Sequence, residues 1–152
     1  MGGIMAYNNA VSTYRETKVK TASQGQLIIM LYDEAVKQLD KGLELLSLDK
    51  GGRRNPANIE KISKAILKAE EIVTELTVSL DFEQGGEIAK NLFSLYTWFN
   101  KELLESNISH DMRRITQVRN QLSELRSAWA EVAAKTNPES SGKAVTGVNI
   151  AG

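Results

Sequence analysis

The sequence predicts an all-α protein, an antiparallel up-and-down four-helix bundle with a short additional N-terminal helix. Three observations favour this fold class. The chain of 152 residues is long enough to bury one sizeable core. It has only 2 prolines and few aromatic residues, and it is otherwise rich in helix-favouring residues. Four segments carry apolar residues in alternating steps of three and four, which is the spacing of one helical face.

The first helix is predicted from Ser23 to about Leu48. Ser23 and Gln26 have the spacing of a capping box, in which each side chain bonds the backbone amide of the other residue. The main apolar stripe consists of Ile28, Tyr32, Ala35, Leu39, Gly42 and Leu46. Further apolar residues lie off this stripe, namely Leu27, Ile29, Met30 and Val36. The helix is therefore apolar on more than one side.

The second helix is predicted to begin at an N-cap, Asn55, followed by Pro56. A proline costs no hydrogen bond at the first helical position, because the amide there has no partner within the helix. The apolar residues of this helix keep a heptad spacing: Ile59, Ile62, Ile66, Ala69, Val73, Leu76 and Leu80.

The third helix is predicted from about Glu87 to Glu105, after a turn at Gly85-Gly86. Its core face consists of Ile88, Leu92, Leu95, Tyr96, Phe99 and Leu103. Flanking this face are Phe93 and Leu104, about 100° to one side, and Trp98, about 120° to the other.

The fourth helix is predicted to follow a break at Asn107-Ile108-Ser109, with Ser109 as its N-cap and Asp111 in its first turn. Its heptad residues are Ile115, Val118, Leu122, Leu125, Trp129 and Val132, and it is expected to end near Lys135. The short connections between the helices favour antiparallel neighbours.

Three regions are predicted along the chain. Residues 1–18 form an N-terminal cap segment, in which Tyr7, Val11 and Tyr14 have the spacing of a short amphipathic helix. Residues 19–135 form the four-helix bundle, and residues 136–152, which are small and polar, form a flexible C-terminal tail.

Composition disfavours several classes of function. The 19 basic and 19 acidic residues give a net charge of zero, which argues against nucleic-acid binding. The absence of cysteine excludes disulfides and thiolate metal sites. The longest apolar run is much shorter than a membrane span, so no membrane insertion is expected. Because no secretory signal is evident at the N-terminus either, a cytoplasmic location is expected.

Chemistry-bearing motifs are also missing, so neither catalysis nor a cofactor is predicted. A di-iron bundle needs Glu-x-x-His on two helices, whereas His110 is the single histidine and Asn107 stands three residues before it. The sequence has no serine elbow and no phosphate-binding loop. We interpret Glu70-Glu71 as a solvated helix face, and the arginines around Arg114 as ordinary surface. Two alternatives remain: a phosphotransfer bundle using His110, and a helical adaptor for another protein.

The apolar residues off the stripes of the first and third helices allow two interpretations. They belong either to a thick core or to a groove that accepts a partner's amphipathic helices. The two are compatible, because a weak N-terminal helix can cover the groove until a partner displaces it.

Several motifs, in order and at suitable spacing, resemble the flagellin-specific export chaperone family, FliS. They are Tyr14, Val19 to Ser23 (VKTAS), Leu27 to Ala35 (LIIMLYDEA), Ser79 to Asp81, Gly85 to Leu92 (GGEIAKNL), Leu95-Tyr96, Leu103 with Asn107, and Leu125 to Trp129 (LRSAW). The resemblance covers about residues 6–134.

This resemblance implies a cytoplasmic, non-enzymatic helical bundle. Its members bind the C-terminal segment of flagellin, prevent premature polymerisation and assist delivery to the flagellar type III export apparatus. The N-terminal segment of the chaperone can occupy part of the same hydrophobic site. We therefore predict partner-binding residues in the cap and on the bundle: Tyr7, Val11, Tyr14, Leu27, Met30, Phe93, Trp98 and Leu104.

Overall fold

The computed structural model describes residues 24–48 and 55–136. All regular secondary structure in these two ranges is helical. The helices are α1 (Gln24–Leu48), α2 (Pro56–Val78), α3 (Phe82–Ser109) and α4 (Met112–Thr136). The prediction of an all-α four-helix bundle is confirmed. The predicted N-terminal helix around Tyr7, the cap at Ser23 and the C-terminal tail lie outside the described residues. None of the described helices is both long and apolar enough to cross a membrane.

The chain divides into two compact units. The smaller unit contains, in its described part, residues 24–33 of α1 and residues 123–136 of α4. The larger unit, residues 34–122, contains the rest of α1 and α4 and the whole of α2 and α3. All four helices therefore contribute to the larger unit, which is a four-helix bundle.

The core of the larger unit is built mainly from the predicted seam positions, although Ile59 of the predicted α2 seam is 39% exposed. Its buried side chains include Ala35, Leu39, Leu46, Ile62, Ile66, Ala69, Val73, Leu76, Tyr96, Phe99, Leu103, Ile115, Val118 and Leu122. Gly42 of α1 is also buried, and a Cβ atom added there would lie 3.8 Å from the Cβ of Ala65. α1 therefore packs closely against α2, and burial of these seams is the main source of stability.

The smaller unit joins the start of α1 to the end of α4. Leu27, Leu31 and Tyr32 are buried in it. The Nε1 atom of Trp129 donates a hydrogen bond of 3.1 Å to the hydroxyl of Tyr32. The Nε atom of Arg126 lies 2.8 Å from Oδ1 of Asp33. The polar end of each aromatic ring is thus satisfied while its apolar body packs between the helices.

The start of α2 agrees with the prediction. The Oδ1 atom of Asn55 accepts a hydrogen bond of 2.9 Å from the amide of Ala57, and Pro56 occupies the first turn. The helix ends at Val78 rather than at Leu80. Its C-cap is Ser79, whose amide donates to the carbonyl of Glu75.

The start of α3 differs from the prediction. The helix begins at Phe82, because Oδ1 of Asp81 accepts hydrogen bonds from the amides of Glu83 and Gln84. The predicted turn at Gly85-Gly86 is a kink inside the helix, where Gly86 has φ 51° and ψ −124°. The core face beyond this kink begins at Ala89, and Ile88, predicted to face the core, is 70% exposed.

The connection between α3 and α4 also differs from the prediction. α3 continues through Asn107 to Ser109, and His110 ends it in the left-handed conformation, with φ 57° and ψ 41°. Asp111 is the N-cap of α4, since its Oδ1 atom accepts a hydrogen bond of 3.0 Å from the amide of Arg113. The predictions of a break at Asn107 and of Ser109 as N-cap are therefore wrong. His110 lies in the connection and not in the first turn of α4.

Candidate partner-binding surface

Helices α2 and α3 are antiparallel neighbours in the larger unit. The Nδ2 atom of Asn100 donates a hydrogen bond of 3.1 Å to Oγ1 of Thr74, which joins the outer edges of the two helices. This bond sets the register. Residues that precede Thr74 on α2 lie beside residues that follow Asn100 on α3.

The outer surface on both sides of this hydrogen bond is the candidate site. We name it the α2–α3 face and define it by Leu67, Glu70, Thr74, Phe93, Asn100 and Leu104. The spacings within each helix are three, four or seven residues, so each set lies along one side of its helix. Large apolar side chains remain accessible here: Leu67 is 46% exposed, Phe93 46% and Leu104 54%.

A second aromatic ring extends this face at one end. The rings of Phe82 and Phe93 meet edge to face, with their centroids 6.0 Å apart. Both rings keep about half of their surface accessible. Sequence reasoning missed Phe82 because it placed this residue in a turn. Asp81, a favoured N-cap residue directly before Phe82, is the signal that a helix begins there.

The predicted partner-binding residues of α3 fall into two groups. Phe93 and Leu104 lie on the α2–α3 face, within about 20° of each other around the helix axis. Trp98 lies on a different side of α3, about 140° from Phe93. It is half-buried, and its ring centroid is 5.8 Å from that of Phe99.

The other predicted contacts belong to the smaller unit or to undescribed residues. Leu27 is only 2% exposed, so its side chain packs inside the protein, whereas Met30 is half-buried. Tyr7, Val11 and Tyr14 lie outside the described residues. Partner contact by each of these residues stays a prediction.

Glu70 differs from the solvated carboxylate expected from the sequence. Its side chain is partly buried, and its Oε2 atom is inaccessible to solvent and has no hydrogen-bond partner among the described residues. Burial raises the pKa of Glu70 from 4.5 to about 7, and the neighbouring charge of Glu71 adds to the increase. Burial also raises the pKa of Glu71, while Lys68 acts in the opposite direction.

The neighbouring amide side chains leave further acceptors unsatisfied. The Oδ1 atoms of Asn100 and Asn107 are both buried without a hydrogen-bond partner within residues 24–48 and 55–136. Asn107 follows Asn100 by seven residues, so the two amides lie along the same side of α3. The α2–α3 face therefore combines accessible apolar side chains with buried acceptors that lack a donor in the described ranges.

Two arginines of α4 in the larger unit form ion pairs with acids of other helices. Arg119 lies 2.8 Å from Asp40 of α1, and Arg114 bonds Glu105 of α3. These hydrogen bonds raise the pKa of both guanidinium groups. The pairing neutralises much of the basic character of this part of α4, consistent with its interpretation as ordinary surface.

Comparison with known proteins identifies one family. Residues 7–136 match the sequence profile of the family described as Flagellar protein FliS. The chain is 36% identical over 136 residues to the flagellar secretion chaperone FliS of Salmonella typhimurium, covering 89% of this chain and 93% of that protein. It is 32% identical over 128 residues to the FliS chaperone of Campylobacter jejuni, covering 84% and 94%. The FliS chaperone of Bacillus subtilis is 24% identical over 127 residues, covering 84% and 88%.

Proposed function

The chain belongs to the FliS family of flagellar secretion chaperones, and we propose that it binds the C-terminal segment of flagellin in the cytoplasm. In this role it prevents premature polymerisation and assists delivery of flagellin to the flagellar type III export apparatus. The family match across residues 7–136 is the observation that carries the proposal. The protein acts by binding alone, without catalysis or a cofactor.

The α2–α3 face supports this proposal because it exposes apolar area on a rigid support. Leu67, Phe93 and Leu104 are partly accessible, while the residues beneath them, such as Phe99 and Leu103, are fully buried. Covering exposed apolar surface yields about 25 cal/mol per Å². An amphipathic segment laid along two neighbouring helices is a common way to cover such a surface.

The binding mechanism follows from the difference in order between the partners. The flagellin segment is unfolded before export and becomes ordered on the bundle, whereas the helices of the chaperone are already formed. Coupled folding of this kind typically buries about 1,000–3,000 Å² and spends about 2–5 kcal/mol of the interaction energy on ordering. The bound segment cannot then make the contacts that build a filament.

The N-terminal segment has a proposed part in this cycle. We propose that Tyr7, Val11 and Tyr14, whose sequence spacing is that of an amphipathic helix, cover part of the flagellin-binding surface when flagellin is absent. A variant lacking residues 1–16 tests this role by calorimetry. Tighter binding of flagellin indicates that the segment is a cover, and weaker binding indicates that it contacts flagellin directly.

The central experiment is titration of the protein with a C-terminal fragment of flagellin. We expect the wild type to form a defined complex, and Phe93→Asp and Leu104→Asp to weaken it by about tenfold or more, because each places a charge within a buried apolar contact. Ile88→Asp is the matched control, since Ile88 is exposed on the same helix about 140° away from Phe93. Absence of binding by the folded wild type contradicts the proposed function.

The remaining predicted contacts are tested in the same titration. Met30→Asp and Trp98→Ala are measured after circular dichroism shows that each variant is folded. Unchanged affinity removes the substituted residue from the contact set. Weaker binding extends that set beyond the α2–α3 face.

A further inference from the structure

We propose that Glu70 recognises a basic residue of the bound export substrate, whose ammonium or guanidinium group donates hydrogen bonds to the Glu70 carboxylate. This inference rests on the proposed function, because the occupant of the α2–α3 face is the flagellin segment. It adds a polar contact that gives the segment a fixed position on an otherwise apolar surface.

The first argument for this role is the position of Glu70 on α2. Glu70 lies three residues after Leu67 and four before Thr74, so all three side chains share one side of the helix. Thr74 bonds Asn100 of α3, which shows that this side of α2 borders α3. The Glu70 carboxyl therefore lies between an exposed apolar residue and the contact between the two helices.

The unsatisfied acceptors are the second argument. Glu70 Oε2 on α2 and the Oδ1 atoms of Asn100 and Asn107 on α3 are buried without a donor in the part of the chain that the structure describes. A buried acceptor without a donor is costly, and native proteins rarely leave several in one region. A lysine brings three donors and an arginine five, so either can supply a donor to the Glu70 carboxylate.

Charge complementarity selects a basic residue over a neutral donor. Glu70 and Glu71 are adjacent acids, and burial disfavours the ionised form of both. An approaching cation favours that ionised form and strengthens the hydrogen bond to it. The occupant is thus an apolar segment with a lysine or arginine placed to reach Glu70, and the flanking apolar side chains cover Leu67 and Leu104.

The third argument is that Glu70 lowers the stability of the folded protein when no partner is bound. A carboxyl group held partly buried without a partner destabilises the folded state in its ionised form. A binding role accounts for such a residue, because functional groups often lower stability.

The test uses calorimetry of the full chain with the flagellin C-terminal fragment, for wild type, Glu70→Leu and Glu70→Gln. We expect Glu70→Leu to lower the affinity by about tenfold or more, because a hydrogen bond between charged groups is lost. Glu70→Gln keeps an acceptor and should lose less. Glu44→Leu, at an exposed acid on α1, is the control and should bind like wild type.

A fragment in which each lysine and arginine in turn is replaced by methionine identifies the partner group. One replacement should weaken wild-type binding but have no further effect on Glu70→Leu. The thermal unfolding temperature of Glu70→Leu at pH 8 should be no lower than that of wild type. A loss of affinity in this variant then reflects lost recognition and not a damaged fold.

Four results overturn the inference. If the wild type binds the fragment and Glu70→Leu binds equally well, Glu70 has no recognition role, while the proposed function stands. If Glu70→Leu leaves the flagellin affinity unchanged but alters self-association of the protein, the occupant is a second copy of the chain. If it instead alters the effect of deleting residues 1–16, the occupant is this chain's own N-terminal segment. If the wild type does not bind flagellin, the proposed function fails together with this inference.

Discussion

Glu70 is a side chain in which solvation, hydrogen bonding and charge act together on stability. Its carboxyl is partly buried beside Glu71, and the pKa of Glu70 rises from 4.5 to about 7. In the unfolded chain the same group loses its proton near pH 4.5. Between these two pH values the folded state binds more protons than the unfolded state, so the free energy of unfolding falls as the pH rises.

This difference predicts the pH dependence of a Glu70→Gln variant. The variant cannot ionise at this position, so it should be more stable than wild type at pH 8, by about 1–2 kcal/mol after allowance for solvent screening. The difference in free energy of unfolding should shrink as the pH is lowered from 7 towards 4.5, because Glu70 of wild type is then increasingly protonated in both the folded and the unfolded state. Urea unfolding at pH 8 and pH 4.5 measures it, and an equal difference at both pH values would contradict the raised pKa.

Gly86 makes the start of α3 dependent on one residue. Its φ of 51° and ψ of −124° lie in a region that side-chain-bearing residues rarely adopt. In the turn before this kink, Asp81 caps the helix and Phe82 lies beside Phe93. The kink therefore lies next to one end of the α2–α3 face.

A Gly86→Ala variant should lose about 1–3 kcal/mol of stability, because alanine must adopt a strained backbone conformation. No atom lies within 4 Å of the added Cβ, so the loss comes from the backbone and not from a clash. Chemical unfolding measures the loss. Ser94→Ala, at an exposed position of the same helix, is the control and should change stability by less than about 0.5 kcal/mol. Equal stability of Gly86→Ala and wild type would contradict the observed kink.

The N-cap of α4 gives a further prediction for a single helix. Asp111→Ala removes the acceptor for the amides of Arg113 and Arg114 and should cost about 0.5–2 kcal/mol. Asp111→Asn keeps a capping oxygen and should retain most of the stability. Ser109→Ala should have little effect, because Ser109 is the last residue of α3 and not a cap of α4. Thermal unfolding of the three variants distinguishes these roles.

The four helices could be predicted from the sequence because burial of one face requires apolar residues every three or four positions. The cap at Asn55 and Pro56 could also be predicted, since its chemistry is local. The α3–α4 connection could not, because the left-handed conformation of His110 allows a turn without glycine. Asn107 to Ser109 has the composition of a break, yet α3 continues through these residues, although Ile108 among them is 81% exposed.

The whole surface could be predicted only in part. Phe93 and Leu104 were expected to lie off the core stripe, and both are accessible. Leu67 and Glu70 were missed because their role depends on the register between α2 and α3, which the contact of Thr74 with Asn100 establishes. Periodicity within one helix carries no information about such a register. Trp98 flanks the core stripe as well, but on another side of α3.

At the scale of the whole molecule, one set of residues stabilises the fold and a different set is proposed to bind the partner. The seams beneath the α2–α3 face are filled by buried residues, so the bundle does not need a partner to be folded. Surface residues such as Leu104 can therefore be substituted without loss of the fold. This separation allows the interface to be examined residue by residue.

The most direct test of the central claim is site-specific photo-crosslinking to the flagellin C-terminal fragment. A photoreactive amino acid replaces Leu104 in one variant and Ile88 in another, both exposed on α3 but on different sides. We predict an efficient crosslink to flagellin from position 104 and little or none from position 88. Crosslinking from position 88 but not from position 104, in folded variants that bind flagellin, would contradict the assignment of the α2–α3 face.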